Sequence, residues 1–146
     1  MDEAIREANT AAENGDVPVG AVIVCEGEII GRGHNRKEAA ADPTAHAEIE
    51  ALRDAARTLG NWRLKGCTLF VTMEPCPMCM GALLQARIKT LVFGAWDVNW
   101  GACGSRLNLT GENRFNHEIE VIGGIKEAEC AALTGNFFRE KRNAPL

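Results

Sequence analysis

Thr68-Leu69-Phe70-Val71-Thr72-Met73-Glu74-Pro75-Cys76-Pro77-Met78-Cys79 is the stretch on which the fold turns. Thr68–Thr72 is a short apolar run of strand composition. Pro75-Cys76-Pro77 ends it and opens a helix carrying Met78, Gly81, Ala82, Leu83 and Ala86, because a helix accepts proline in its first turn. Thr90–Gly94 then reads as the next strand. A strand, a helix and a second strand in that order make a right-handed crossover between parallel neighbours.

Upstream, residues 2–14 read as a helix, with Ile5, Ala8 and Ala12 on one side and turn chemistry at Asn14-Gly15-Asp16. Val17–Cys25 and Glu28–His34 flank Glu26-Gly27 as a hairpin, and Asn35–Pro43 is a polar loop. Thr44 is the expected N-cap of a helix striped by Ala45, Ile49, Leu52, Ala56 and Leu59 and stopped at Gly60. Downstream, residues 96–116 are a long Gly- and Asn-rich loop, Glu118–Ile122 a strand of undecided direction, and residues 126–142 a helix ending in Lys and Arg. The order α-β-β-α-β-α-β-β-α predicts an α/β fold: a three-layer α/β/α sandwich around a five-stranded mixed sheet. No repeat or linker interrupts it, so residues 1–146 are expected to form a single domain.

Composition sets bounds on function. The chain has 146 residues, 46% apolar and 25% charged, which is globular. Its net charge of −4 excludes a protein that coats nucleic acid by bulk positive charge. No apolar run approaches the ~20 residues of a membrane span, and Met1–Arg6 lacks the pattern of an export signal. The expected location is the cytoplasm, with no membrane partner. Of six cysteines, only Cys76 and Cys79 cluster; Cys25, Cys67, Cys103 and Cys130 are expected to fill core.

The chemistry-bearing residues are His46-Ala47-Glu48, in the first turn of one predicted helix, and Cys76 and Cys79, neighbours on a face of another. Both helices follow strands, so their N-termini should meet at one sheet edge. Two thiolates and an imidazole suit Zn²⁺. Three protein donors leave a corner for water, as in catalytic sites, whereas a structural site takes four. The available fourth donors are Cys67, Cys103 and His117. Glu48 is the candidate proton acceptor, provided that it and His46 project together from the helix tip, because i and i+2 otherwise diverge.

These residues resemble the zinc-dependent nucleobase and nucleoside deaminase superfamily, whose signature is H-x-E with P-C-x-x-C. Within it the chain looks like the tRNA adenosine deaminases that make inosine at the anticodon wobble position. The resemblance runs through Val17-Pro18-Val19-Gly20-Ala21-Val22, His34-Asn35-Arg36, Asp42-Pro43-Thr44-Ala45-His46-Ala47-Glu48 and Thr72-Met73-Glu74-Pro75-Cys76. It continues in Gly101-Ala102-Cys103-Gly104-Ser105, Asn116-His117 and Phe137-Phe138-Arg139.

The resemblance implies a cytidine deaminase-like fold, one Zn²⁺ per chain on His46, Cys76 and Cys79, and Glu48 as the catalytic base and then acid. It implies that Asn35 and the Ala47 N–H bind the flipped base and that Asp97 contacts the preceding nucleotide. It further implies a tRNA anticodon stem-loop as partner and a homodimer, with Met78-Cys79-Met80-Gly81-Ala82 supplying part of the apolar contact. Phosphate contacts are expected from Arg32, Arg36, Lys37, Arg139, Lys141 and Arg142. One segment departs from the family pattern: Asn99 stands where a Lys is frequent, between Trp96 and Trp100. The competing readings are a deaminase of a free base or nucleoside, and a non-catalytic zinc-stabilised RNA-binding module.

Overall fold

Both faces of the strands are apolar, and that decides the layering. Ala21 and Ile23, Leu69 and Val71, and Leu91 and Phe93 alternate with Val22, Phe70 and Val92, so the sheet needs a helical layer on each side. The computed structural model describes residues 1–110 and 115–145 and has that form. Its helices are α1 (Asp2–Glu13), α2 (Lys37–Ala40), α3 (Ala47–Leu59), α4 (Pro77–Ala86) and α5 (Glu127–Asn143). Its strands are β1 (Gly20–Cys25), β2 (Glu28–His34), β3 (Thr68–Met73), β4 (Thr90–Ala95) and β5 (Glu120–Ile122).

The strands form one mixed sheet in the order β2-β1-β3-β4-β5. β1 runs antiparallel to β2 and β3, whereas β3, β4 and β5 run parallel. The direction of β5, open in the sequence, is thereby settled. Gly20 pairs with His34, Ala21 with Val71, and Met73 with Ala95. The C-terminal ends of β2, β3 and β4 therefore share one edge, where strand ends leave a crevice.

One side of the sheet packs Ala21, Ile23, Leu69, Val71, Leu91 and Phe93 against α3 (Ala47, Ala51, Ala55) and α4 (Met80, Leu83, Leu84). The other side carries α1, which buries Ala4, Ala8 and Ala11, and α5, which buries Cys130. Both layers sit close because the strands offer glycine where a helix backbone passes. A Cβ on Gly33 would lie 2.4 Å from the Ala47 carbonyl oxygen, and one on Gly20 would lie 2.0 Å from that of Ala4.

Three local expectations shift. Val17–Val19 stays outside β1, and the polar loop after β2 contains the short helix α2. The buried Asp16 carboxylate holds α2, accepting the Glu38 N–H at 2.8 Å and the Ala39 N–H at 3.2 Å. In the 96–116 loop, residues 111–114 lie outside the described residues, and Cys103 pairs with Asn108 in an isolated bridge. Cys67, Cys103 and Cys130 are buried and Cys25 is half-buried, as core thiols would be. No helix among the described residues is long and apolar enough to cross a membrane.

Candidate metal centre and substrate cleft

Two helix N-caps build the centre. His46, not Thr44, caps α3, with extended backbone at φ −75° and ψ 153°. Cys76 caps α4 in the same way, at φ −78° and ψ 172°, with Pro77 in the first helical turn. Thr44 instead donates its N–H and hydroxyl to Asp42 Oδ1 in a turn before the helix. Caps are usually small polar side chains that bond back onto their own helix. Neither His46 nor Cys76 does so, which leaves imidazole and thiol aimed outward at the sheet edge. Cys79, inside α4, comes round one turn later and is buried.

His46 Nδ1 lies 3.6 Å from Cys76 Sγ and 3.5 Å from Cys79 Sγ. The three donor atoms lie within 4.8 Å of one another and could hold a metal ion. No fourth His, Cys, Asp or Glu among the described residues joins them. Of the fourth donors considered from sequence, His117 bonds the Ile88 carbonyl at 2.7 Å, and Cys67 precedes β3 at the opposite end of the sheet. Cys103 is buried in the core cluster beyond the three donors.

The donors bias each other electrically. The Cys79 thiol donates to Cys76, and together with His46 this holds the Cys76 thiol down to about 4. Cys79, giving that bond from a buried position, is pushed well above the ordinary thiol range. The bond to Cys76 raises His46. One thiol, Cys76, thus ionises readily, and its neighbour Cys79 resists doing so until a cation arrives.

Glu48 meets the condition set from sequence. Because His46 is extended rather than helical, its side chain and that of Glu48 turn into the same cleft of about 760 Å³. Glu48 is 4% exposed. Burial raises its pKa above the usual carboxylate range.

Residues 1–142 match the MafB19-like deaminase family. The chain belongs to that family. It is 51% identical over 142 residues to a tRNA-specific adenosine deaminase of Bacillus subtilis, covering 97% of this chain and 88% of that protein. A solved structure from work on A-to-I editing by tRNA:A34 deaminases at the wobble position of transfer RNA superposes with a TM-score of 0.88. It is 42% identical, over 91% of this chain and 96% of that one. A guanine deaminase from Nitrosomonas europaea superposes with a TM-score of 0.81 at 25% identity, over 94% of this chain and 81% of that one. The fold is cytidine deaminase-like, and the protein is an enzyme of the deaminase class.

Asn35, Ala47 and Asp97, also singled out from sequence, line the same cleft. Asn35 is buried on its wall, donating to the Val17 carbonyl at 3.3 Å and accepting the Lys37 N–H at 3.2 Å. Each of its polar atoms keeps capacity for one more bond. Ala47 is the first residue of α3, where the N–H has no partner within the helix. Asp97 is half-buried on the opposite wall, its Oδ1 accepting the Asn99 N–H at 3.0 Å and the Trp100 N–H at 3.1 Å. Of the basic residues, Lys37 lines the cleft. Arg32 pairs instead with Glu3 of α1, on the far side of the sheet.

Sequence reasoning missed Glu74. This carboxylate is 2% exposed and accepts the N–H groups of Asp97 at 3.0 Å, Cys103 at 2.9 Å and Ser105 at 3.1 Å, and the Ser105 hydroxyl. Gly101 fits over it: a Cβ there would lie 2.3 Å from the carboxylate carbon. Glu74 therefore pins the loop carrying Trp96, Asp97 and Trp100 to the end of β3. The signal available was an acidic residue directly before Pro75-Cys76, at a strand end.

Proposed function

We propose that this protein hydrolytically deaminates adenosine to inosine at the anticodon wobble position of tRNA, using Zn²⁺ held by His46, Cys76 and Cys79. The observation that carries this reading is the three-donor cluster sharing one cleft with a buried carboxylate, Glu48. It stands in a chain that aligns along almost its whole length with a tRNA-specific adenosine deaminase. The donor set fits the ion: Zn–N near 2.05 Å and Zn–S near 2.3 Å at tetrahedral angles require an N···S edge of about 3.6 Å. The two N···S edges here are 3.5 and 3.6 Å.

Bound there, Zn²⁺ would supply a water whose pKa is brought toward ~7. Glu48 does the rest of the proton handling. Its carboxylate takes the proton of the attacking water, delivers it to the ring nitrogen beside C6, and carries the second proton to the departing amine. Burial, which raises its pKa, suits a group that must hold a proton between two steps. The Asn35 amide and the Ala47 N–H grip the base edge, and Asp97 contacts the preceding nucleotide. Arg139, Lys141 and Arg142 at the end of α5 meet phosphates.

Residues 1–146 work as one domain in the cytoplasm. The protein pairs as a homodimer through α4, where Met78 is exposed beside half-buried Gly81 and Ala82; sedimentation tests this. The deciding assay is incubation with total tRNA followed by sequencing for adenosine-to-inosine changes. Inosine at the wobble position supports the reading. Turnover of free guanine or cytosine with no change in tRNA supports the free-base deaminase instead, which the likeness to the guanine deaminase keeps in view.

A further inference from the structure

The cleft has an aromatic rim that the chemistry at its floor does not use. Trp96 and Trp100 both line it, yet Trp96 is 45% exposed and Trp100 67% exposed. Leaving two indoles in water at a cleft mouth is unfavourable unless something covers them. The loop around them is held rigidly. Glu74 takes the N–H of Asp97, and Asp97 in turn takes the N–H of Trp100 and, through its carbonyl, that of Gly101 at 2.8 Å. The Ala102 N–H bonds the Pro75 carbonyl, also at 2.8 Å. Trp96 stands edge-on to the buried Phe93, with ring centroids 4.8 Å apart and planes at 88°. The segment Ala95–Gly104 contains no Lys or Arg and one Asp, so it is not built to attract phosphate.

We propose that Trp96 and Trp100 form a stacking platform for the unpaired nucleobases flanking the target, so that this chain holds its RNA at the cleft mouth by aromatic contact rather than by charge. The inference rests on the functional reading above. It follows from what the rim offers: flat π-faces continuous with the cleft, on a loop whose backbone is anchored through Glu74 and Asp97 and which carries no Lys or Arg. Single-stranded bases splayed from a loop present the matching faces. Stacking releases no counterions, so this part of the affinity does not weaken with salt. Contacts from Lys37 and the end of α5 would carry the salt dependence.

The test measures deamination of an anticodon stem-loop RNA at low and high salt by wild type, W100A, W100F and W96F. W100A is expected to raise KM about tenfold, which is the scale of one lost base–aromatic stack. The ratio of its KM to that of wild type should stay the same at both salts. W100F, which keeps a flat ring, should recover most of the loss. In a Trp62→Phe background, RNA should quench the fluorescence of the two remaining tryptophans, and W100F should reduce that quench. Wild-type turnover of the stem-loop with an unchanged KM in W100A overturns the platform alone. A wild-type protein that deaminates a free base and not the stem-loop overturns the functional reading and the platform together.

Discussion

The floor of the cleft and its rim are built on opposite plans. At the floor, His46 and Cys76 sit at helix N-caps and Cys79 and Glu48 lie within the first turns of the same helices, backed by the alanine stripe of α3. Backbone regularity places these groups, and burial tunes them. At the rim, Trp96, Asp97 and Trp100 sit on a loop whose shape comes from one buried carboxylate, Glu74, gathering scattered N–H groups. Positions fixed by secondary structure are set by the helices themselves, and they hold the groups proposed to carry the reaction. A loop hung on one side chain can change its exposed residues while its course is kept, which is where a substrate preference can vary.

The floor breaks most completely at its donors. H46A or C76S should lose zinc by elemental analysis and reduce deamination to background; full metal content in both variants would contradict the site. Zinc uptake by stripped protein at pH 7 should release about one to two protons, read from the buffer dependence of the binding heat. Cys76, held down to about 4, has already given its proton. Cys79, pushed up, and His46, raised, have protons left to give. Affinity therefore falls as pH falls, as His46 and the thiolates take protons back.

The rim breaks at Glu74. E74A orphans the buried N–H of Cys103 and the half-buried N–H groups of Asp97 and Ser105 and should cost about 3 kcal/mol of stability, measured by denaturant unfolding. In E74Q one carboxylate oxygen becomes a donor facing donors, so kcat/KM on RNA should fall about tenfold while zinc content is kept. Loss of zinc in E74Q would mean that rim and floor are not separable. The smallest effect is expected at Asp97. D97N retains an oxygen to accept from Asn99 and Trp100, so stability should stay within about 0.5 kcal/mol. Its effect should show as an altered preference for the preceding nucleotide in a library of stem-loops.

The same contrast explains what could be read from the sequence. Pro77 after Cys76, apolar periodicity and the hairpin turn are local signals, so the five strands, the four longer helices and the clustered His46, Cys76 and Cys79 were legible, whereas α2 was not. The cap positions were not. Thr44 has the better capping side chain, but Asp42 takes its hydroxyl and N–H, and the chain stays extended through His46. Asp16, read as turn chemistry, instead anchors α2 from a distant position. Glu74 was quoted within a motif without a role, because its partners lie 23 to 31 residues away and no spacing rule announces them. The direction of β5 depended on packing beside β4 and carried no local mark.

The central claim is that one buried carboxylate moves the protons for a reaction on RNA. It is tested most directly by comparing wild type and Glu48→Ala on total tRNA, with inosine at the wobble position and bound zinc measured on the same preparations. The account predicts full zinc in both proteins, inosine with wild type, and a rate about a thousandfold lower in the variant. Inosine formation at the wild-type rate by a zinc-loaded E48A would contradict it.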